Sequence, residues 1–265
     1  MQIQPIRPAL IRLGSAREEA PALVLIHGVG LDRNMWMPLA GCLGEDIGLY
    51  VYDMLGHGAC PTGSTDLRLH DFVHQLEQLL AAAHLHRYAL AGFSMGALVA
   101  QAHAVRGPVG LDRLILLHSV HQRDAAQQAS VRQRLEQAER DGPAAIIEAA
   151  LDRWFTEAFI SKHPRVAAEV RHRLQRNDAA GFLAAYRVFA GRFGLGPFAL
   201  DRIDCPTLVA TGELDSGSTP AMSRSLAALI ANARYELFEG LAHLAPIEAP
   251  ERVADSVRRF VLSAG

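Results

Sequence analysis

Residues Tyr88–Val105, which read YALAGFSMGALVAQAHAV, join an apolar run to a helical pattern through Gly92-Phe93-Ser94-Met95-Gly96. The run Tyr88–Phe93 predicts a buried strand, and the residues after Ser94 predict a helix. A Gly-x-Ser-x-Gly segment between a strand and a helix is typical of a tight turn that lifts a serine above the edge of a sheet. Ser94 would then lie at a helix N-terminus, where the helix dipole favours negative charge. The stretch therefore predicts a nucleophilic serine at position 94.

Further apolar runs alternate with helical patterns on both sides of this stretch. The strand-like runs are Leu23–Ile26, Tyr50–Tyr52, Leu114–Leu117, Thr207–Thr211 and Tyr235–Phe238. The helical stretches are Leu69–Ala83, Met95–Arg106, Met222–Ile230 and Glu251–Leu262. This alternation predicts an α/β fold with a mostly parallel sheet flanked by helices, because parallel strands need crossover connections. Ile3 and Ile6–Leu13 are expected to add an antiparallel edge.

One long segment interrupts the alternation. Residues 122–196 contain no convincing strand pattern and favour helices, such as Ala129–Arg140, Ala144–Ala158, Pro164–Gln175 and Ala179–Phe189. Basic residues outnumber acidic ones in this segment, whereas the rest of the chain has the opposite balance. We expect residues 1–121 and 197–265 to form one α/β core domain, and residues 122–196 to form a helical cap, or lid, inserted into it.

A serine hydroxyl is a poor nucleophile unless a base removes its proton. When the serine lies at a strand–turn–helix junction, the acid and then the histidine follow it along the chain. His243 is the only histidine after Thr207–Thr211 and follows the last strand-like run, so it is the expected base. Asp215 follows Thr207–Thr211 and is the expected acid, whose role is to orient the imidazole and stabilise the imidazolium. Glu213 and Asp124 remain alternatives for the acid.

An attacking serine also needs two backbone N–H groups that hold the oxyanion. Met95, the residue after the nucleophile, is expected to give one of them. The loop His27-Gly28-Val29-Gly30 follows a predicted strand. Because glycines let the backbone approach a substrate closely, Val29 is expected to give the other N–H group. We interpret His27 and His57 as histidines that brace this loop by hydrogen bonding.

The overall charge argues against several classes of partner. The chain carries 26 basic and 28 acidic residues, a formal net charge of −2, and its pI is about 6.6. This balance argues against nucleic-acid binding and against polybasic membrane binding. Cys42, Cys60 and Cys205 lack metal-ligand spacing, and neither a secretory signal nor a long apolar run is found. A cytoplasmic protein with no metal and no organic cofactor is therefore expected.

Taken together, these motifs resemble those of the α/β-hydrolase fold family. The resemblance rests on HGVG at His27–Gly30, DMLGHG at Asp53–Gly58, GFSMG at Gly92–Gly96, TGELD at Thr211–Asp215 and the final Ala242-His243. It implies an eight-stranded, mostly parallel sheet, with the helical cap inserted after the sixth strand of the family. By position it also implies Ser94 as nucleophile, Asp215 as acid, His243 as base, and Val29 with Met95 as the oxyanion hole. Because one scaffold carries many chemistries, it does not specify a substrate.

The cap stretch Arg153–Phe159 is similar to that of 3-oxoadipate enol-lactonases, bacterial enzymes of aromatic catabolism. The His27-Gly28 pair departs from them and is more similar to carboxylesterases and to C–C hydrolases of meta-cleavage products. The aromatic side chains expected to line an apolar pocket are Trp36, Trp154, Phe155 and Phe189. A carboxylate on the substrate would be clamped by Arg187 or Arg192.

The favoured hypothesis is a hydrolase that acts on carboxylic ester bonds. It would cleave a small ester or (enol-)lactone through an acyl-enzyme, with a Ser-His-Asp triad. Two alternatives stay open: a C–C bond hydrolase that uses the same residues, and a non-catalytic ligand receptor on the same scaffold. The expected partner is a small molecule, and the sequence leaves a homodimer open.

Overall fold

The computed structural model describes residues 9–14, 17, 19–62, 64–191 and 199–263. The strands of this part are β1 (Ile11–Leu13), β2 (Ala22–Ile26), β3 (Gly48–Val51), β4 (Tyr88–Phe93), β5 (Leu111–Leu117), β6 (Thr207–Gly212) and β7 (Ala233–Phe238). They form one sheet in the order β1-β3-β2-β4-β5-β6-β7. β1 is antiparallel to β3, and every other neighbouring pair is parallel.

The expected number of eight strands is wrong for the described residues, which form seven. The antiparallel edge predicted within Ile6–Leu13 is reduced to Ile11–Leu13, which pairs with Leu49–Val51. Ile11 and Arg12 are exposed, so little apolar burial favours a longer strand at this edge. Ala9 and Leu10 are not in a strand, and residues 1–8, which include the rest of the expected edge, lie outside the described residues.

Helices cover both faces of the sheet. Outside the segment between β5 and β6 they are α1 (Met37–Leu43), α2 (Leu69–Ala82), α3 (Met95–Ala104), α9 (Pro220–Ala228), α10 (Ala245–Glu248) and α11 (Pro250–Leu262). Successive residues of β2 point to opposite faces. Leu23 and Leu25 therefore join the core beneath α1 and α11, while Val24 and Ile26 join the core beneath α2 and α3.

The described part of the segment between β5 and β6 contains helices joined by short loops, and no strand. Its helices are α4 (Ala125–Asp141), α5 (Ile147–Trp154), α6 (Glu157–Lys162), α7 (Pro164–Gln175) and α8 (Ala179–Ala190). Leu244 N donates a hydrogen bond to Trp154 O at 2.7 Å, and Asn177 Nδ2 donates to Gly30 O at 2.7 Å. The segment thus contacts loops at the carboxyl ends of β7 and β2. The boundaries 122–196 for a separate cap stay a prediction.

No helix in the described part of the chain combines the length and the apolar character that crossing a membrane requires.

Candidate active site

Ser94 lies on the tight turn between β4 and α3. Its backbone has φ 53° and ψ −114°, and its N–H donates to Leu117 O at 2.9 Å. A Cβ at Gly92 would lie 2.2 Å from Gly96 O, and a Cβ at Gly96 would lie 2.4 Å from Ile26 O. Both glycines are therefore required by close backbone approach, and the turn presents Ser94 at the carboxyl edge of the sheet.

Asp215 and His243 meet at the same edge. Asp215 follows β6, His243 follows β7, and both side chains are buried. Nδ1 of His243 lies 2.6 Å from Oδ2 of Asp215. Oδ1 of Asp215 accepts hydrogen bonds from Gly217 N at 2.9 Å and Ser218 N at 2.8 Å. The turn after β6 thus fixes the carboxylate, and the carboxylate fixes the imidazole.

The pKa of Asp215 depends on opposing effects. Burial by itself would raise the pKa of this carboxyl group. The charge on His243, together with hydrogen bonds from His118 and His243, outweighs burial and holds the pKa well below its usual range. Asp215 is therefore ionised, and it can only accept hydrogen bonds. An ionised acid behind an imidazole stabilises the imidazolium that forms when a serine loses its proton.

Ser94, Asp215 and His243 line one cavity of about 390 Å³. The described contacts include no direct hydrogen bond between Ser94 and His243. Catalytic hydrogen bonds are often longer without substrate and tighten when substrate binds. The Trp154 ring covers His243, with 6.0 Å between the ring centroids. The structure therefore brings the three predicted side chains to one cavity.

The alternative acids make other contacts. Asp124 caps α4 by accepting from Gln127 N at 2.8 Å. Glu213 accepts from Gly240 N at 2.8 Å and is exposed. Neither is hydrogen-bonded to His243, so among the predicted acids the geometry favours Asp215.

The predicted oxyanion donors lie next to Ser94. Met95 begins α3, where the first N–H groups have no partner within the helix, and Val29 lines the cavity with Ser94. Gly30 N donates to His57 Nε2, and Met54 N donates to His27 Nε2, both at 2.9 Å. The interpretation of the two histidines as braces of this loop is confirmed.

The predicted aromatic pocket residues divide into two pairs. Trp154 and Phe189 line the cavity, as expected. Trp36 and Phe155 do not line it: Trp36 is buried edge-to-face against Phe93 at 6.3 Å, and Phe155 is buried and stacks on Phe159. These two predictions are wrong because apolar core contacts take up both rings.

The prediction of Arg187 as a clamp for a substrate carboxylate is also wrong. Arg187 lies outside the cavity and pairs with Glu139, with 2.7 Å between Nε and Oε1. Arg192 lies outside the described residues. The arginines that do line the cavity are Arg123, Arg134 and Arg153, none of which the sequence identified as a clamp. Nothing in their local sequence distinguishes them from the other arginines of this segment, because the direction of a side chain depends on how the helices pack.

His118 was also overlooked. It follows β5 directly, and its Nδ1 lies 2.8 Å from Oδ2 of Asp215. The signal was available, because a polar residue at the carboxyl end of a central parallel strand lies at the same edge as Ser94.

His118, Asp215 and His243 also have the spacing of a metal site. One potential ligand atom of each lies within 4.8 Å of the others. Both imidazoles are, however, hydrogen-bonded to the same carboxylate oxygen. A metal ion would have to replace these hydrogen bonds.

A serine on a strand–turn–helix junction, with a buried Asp–His pair beside it, defines a hydrolase-type site on an α/β sheet. The model of the alpha/beta hydrolase family matches residues 23–256. The chain belongs to the alpha/beta hydrolase family.

Relatives that are named as hydrolases or lactonases match most of the chain. The (E)-2-((N-methylformamido)methylene)succinate hydrolase of Acinetobacter baylyi is 32% identical over 244 residues, 92% of this chain and 91% of the relative. The 3-oxoadipate enol-lactonase 2 of the same species is 27% identical, covering 88% and 85%. The crystal structure of the enol-lactonase from Burkholderia xenovorans has a TM-score of 0.87, 27% identity and 96% coverage of both chains. These relatives support hydrolase activity.

Proposed function

We propose that the protein is a serine hydrolase that cleaves a small carboxylic ester or lactone through an acyl-enzyme. The observation that carries the proposal is the convergence of Ser94, His243 and Asp215 on one cavity, with Asp215 bonded to His243 at 2.6 Å. The name of the 3-oxoadipate enol-lactonase supports a lactone substrate, and that of the (E)-2-((N-methylformamido)methylene)succinate hydrolase supports hydrolysis in general.

The geometry supports a two-step reaction. Nε2 of His243 takes the proton of Ser94 as its Oγ attacks the carbonyl carbon, and the N–H groups of Val29 and Met95 hold the oxyanion. Collapse of the intermediate breaks the ester C–O bond, and His243 gives the proton to the leaving oxygen. A water molecule then attacks the acyl-enzyme with His243 as base, which releases the acid and restores Ser94.

The test compares two bond types on the purified protein. The substrates are 4-nitrophenyl butyrate and a vinylogous 1,5-diketone, with Ser94→Ala as the control variant. We expect turnover of the ester, and a loss of about 10³-fold or more in Ser94→Ala. Preferred cleavage of the diketone would identify a C–C hydrolase instead. Tight retention of ligand after one slow turnover would identify a receptor.

The substrate is also proposed to carry a carboxylate. Arg123, Arg134 and Arg153 line the cavity, and none of them lies within 4.0 Å of a carboxylate among the described residues. Burial lowers the pKa of Arg123 to about 10, and burial together with the charge of Arg134 lowers the pKa of Arg153.

The hydrogen-bond partners of two of these arginines are neutral: Arg123 donates to Phe189 O, and Arg134 donates to the hydroxyls of Ser130 and Tyr186. Partly buried cations without an anionic partner among the described residues favour an anion at this end of the cavity. The names of the two relatives contain succinate and oxoadipate, which are carboxylic acids.

Two esters that differ in charge test the arginines. The measured quantity is the ratio of kcat/KM for mono-4-nitrophenyl succinate to that for 4-nitrophenyl butyrate. We expect Arg134→Gln and Arg153→Gln to lower this ratio by about 10-fold or more, because each removes charge-assisted hydrogen bonds. Arg187→Gln, which alters an arginine outside the cavity, is the matched control and should leave the ratio unchanged. An unchanged ratio in all three variants would contradict the carboxylate assignment while leaving the reaction class intact.

A further inference from the structure

Asp215 contacts a second buried histidine that the reaction above does not use. His118 is fully buried and has φ 52°, in the left-handed region. Its Nδ1 lies 2.8 Å from Oδ2 of Asp215, the same oxygen that Nδ1 of His243 reaches at 2.6 Å. The ends of β5, β6 and β7 thus bring His118, Asp215 and His243 to one point.

The direction of the His118 hydrogen bond follows from the state of the carboxylate. Asp215 is ionised and accepts only, so Nδ1 of His118 must donate. Burial outweighs the attraction of Asp215 and lowers the pKa of His118, so the ring is neutral and its single proton lies on Nδ1. Nε2 of His118 is then a bare acceptor, buried without a hydrogen-bond partner among the described residues.

The remaining surroundings of His118 offer little polar compensation. Its ring contacts Phe93 and Phe238, with centroid distances of 5.4 and 6.4 Å, and meets the ring of His243 at 5.3 Å. The hydroxyl of Thr211 lies 3.4 Å from both Nδ1 of His118 and Oδ2 of Asp215, but its single proton is donated to Ser218 O at 2.8 Å. The left-handed backbone and the unpaired nitrogen both cost folding free energy. Among the described residues, the hydrogen bond to Asp215 is the close polar contact that offsets part of this cost.

We propose that His118 is a positioning residue that acts through Asp215. Together with His243 and two backbone N–H groups, it makes four donors that fix the carboxylate. Its hydrogen bond to Oδ2 also reduces the negative charge that Asp215 presents to His243. The inference rests on the proposed function, because the position of Asp215 matters for chemistry only if His243 serves Ser94.

The consequence is a defined shift in the pH dependence of Ser94 reactivity. Without the donor at position 118, Oδ2 of Asp215 keeps more negative charge towards His243 and stabilises its protonated form. The imidazole then loses its proton at higher pH, and the acid limb of the rate profile moves upwards. A residue that only filled space would not move this limb.

The experiment measures the rate at which a fluorophosphonate probe labels Ser94 between pH 4.5 and 9, which requires no knowledge of the substrate. His118→Asn and His118→Leu form a matched pair of equal size, of which only Asn can donate from the position of Nδ1. We expect His118→Leu to raise the midpoint of the acid limb by about 0.5–1 pH unit and to lower the limiting rate about 10-fold. His118→Asn should keep the midpoint of the wild-type protein. If Leu at φ 52° prevents folding, His118→Gly removes the donor without backbone strain.

The outcomes separate this inference from the proposed function. If Ser94 of the wild-type protein is not labelled, the proposed function fails and His118 has no triad to position. If Ser94 is labelled and both variants keep the same midpoint, the role of His118 is overturned while the proposed function stands. Equal loss of labelling rate in both variants, with no shift of the midpoint, would also overturn the positioning role of His118. Such a result would indicate that His118 serves packing only.

Discussion

At the scale of single residues, Asp215 is distinguished by its hydrogen bonds. It accepts from two imidazoles through Oδ2 and from two backbone N–H groups through Oδ1. Asp124 and Glu213, the other acids that the sequence allowed, are held by Gln127 N and Gly240 N instead. Only Asp215 can therefore set the orientation of His243.

Replacing each of the three candidate acids in turn should show which one serves His243. We expect Asp215→Asn to lower kcat by about 10³–10⁴-fold, because an amide can leave His243 in the wrong tautomer and does not stabilise imidazolium. Asp124→Asn and Glu213→Gln should retain activity, since Asn is also a good N-cap and Glu213 is remote from the imidazole. The measurement is ester turnover at pH 7.5 with thermal unfolding as the folding control. A larger loss in Glu213→Gln or Asp124→Asn would reassign the acid.

At the scale of single residues, the sequence predicted the positions of some site residues and missed those of others. Ser94, Asp215 and His243 could be placed together because topology alone brings the carboxyl ends of parallel strands to one edge. Their catalytic roles stay predictions. Trp36 and Phe155 were misplaced because an aromatic residue type does not reveal whether it faces a cavity or a core. The three cavity arginines were missed because the sequence does not show which helical arginines face the cavity and which face solvent.

At the scale of secondary-structure elements, the β4–α3 turn requires backbone contact that only glycine permits. A Cβ on Gly96 would lie 2.4 Å from Ile26 O and 2.5 Å from His27 O. Both of these atoms belong to backbone, which cannot move aside as a flexible side chain can. Gly41, in the middle of α1, has no atom within 4 Å of the same added carbon.

These two glycines predict opposite effects of the same substitution. Gly96→Ala should destabilise the protein by about 3 kcal/mol or more, since β2 and α3 must separate. Gly41→Ala should stabilise it by about 0.5–1 kcal/mol, because alanine favours the helix and meets no obstruction. Urea unfolding of both variants measures the difference. A Gly96→Ala variant as stable as wild type would show that the turn can relax.

Elements of the core were easier to predict than elements of the edge. β4 was predicted with its observed bounds because all six residues are buried. β5 begins at Leu111 rather than Leu114, since its first residues include the charged and less buried Asp112 and Arg113. The edge strand β1 is short and exposed, so apolar periodicity carries little information about its limits.

At the scale of the whole molecule, buried histidines connect the oxyanion loop to the stability of the fold. Burial lowers the pKa of His27 to about 4. Burial and the neighbouring His27 lower the pKa of His57 to about 3. Both rings accept a backbone hydrogen bond through Nε2, which is possible only while that nitrogen is unprotonated. Folding thus requires neutral imidazoles at two positions beneath the site.

The protein should therefore lose stability as the pH falls from about 6.5 towards 4. In the unfolded chain both histidines bind protons with an ordinary pKa of about 6.5, so the unfolded state gains protons that the folded state excludes. Their combined contribution is fully present above pH 6.5, and on the order of 3–5 kcal/mol of it is lost by pH 4.5. His57→Gln keeps an acceptor for Gly30 N without titrating, so its free energy of unfolding should fall less steeply over this range. Urea unfolding at several pH values measures the slope, with the exposed His86→Gln as the matched control. Parallel slopes for wild type and His57→Gln would mean that this histidine accepts a proton without unfolding the loop, and that other groups cause any acid instability.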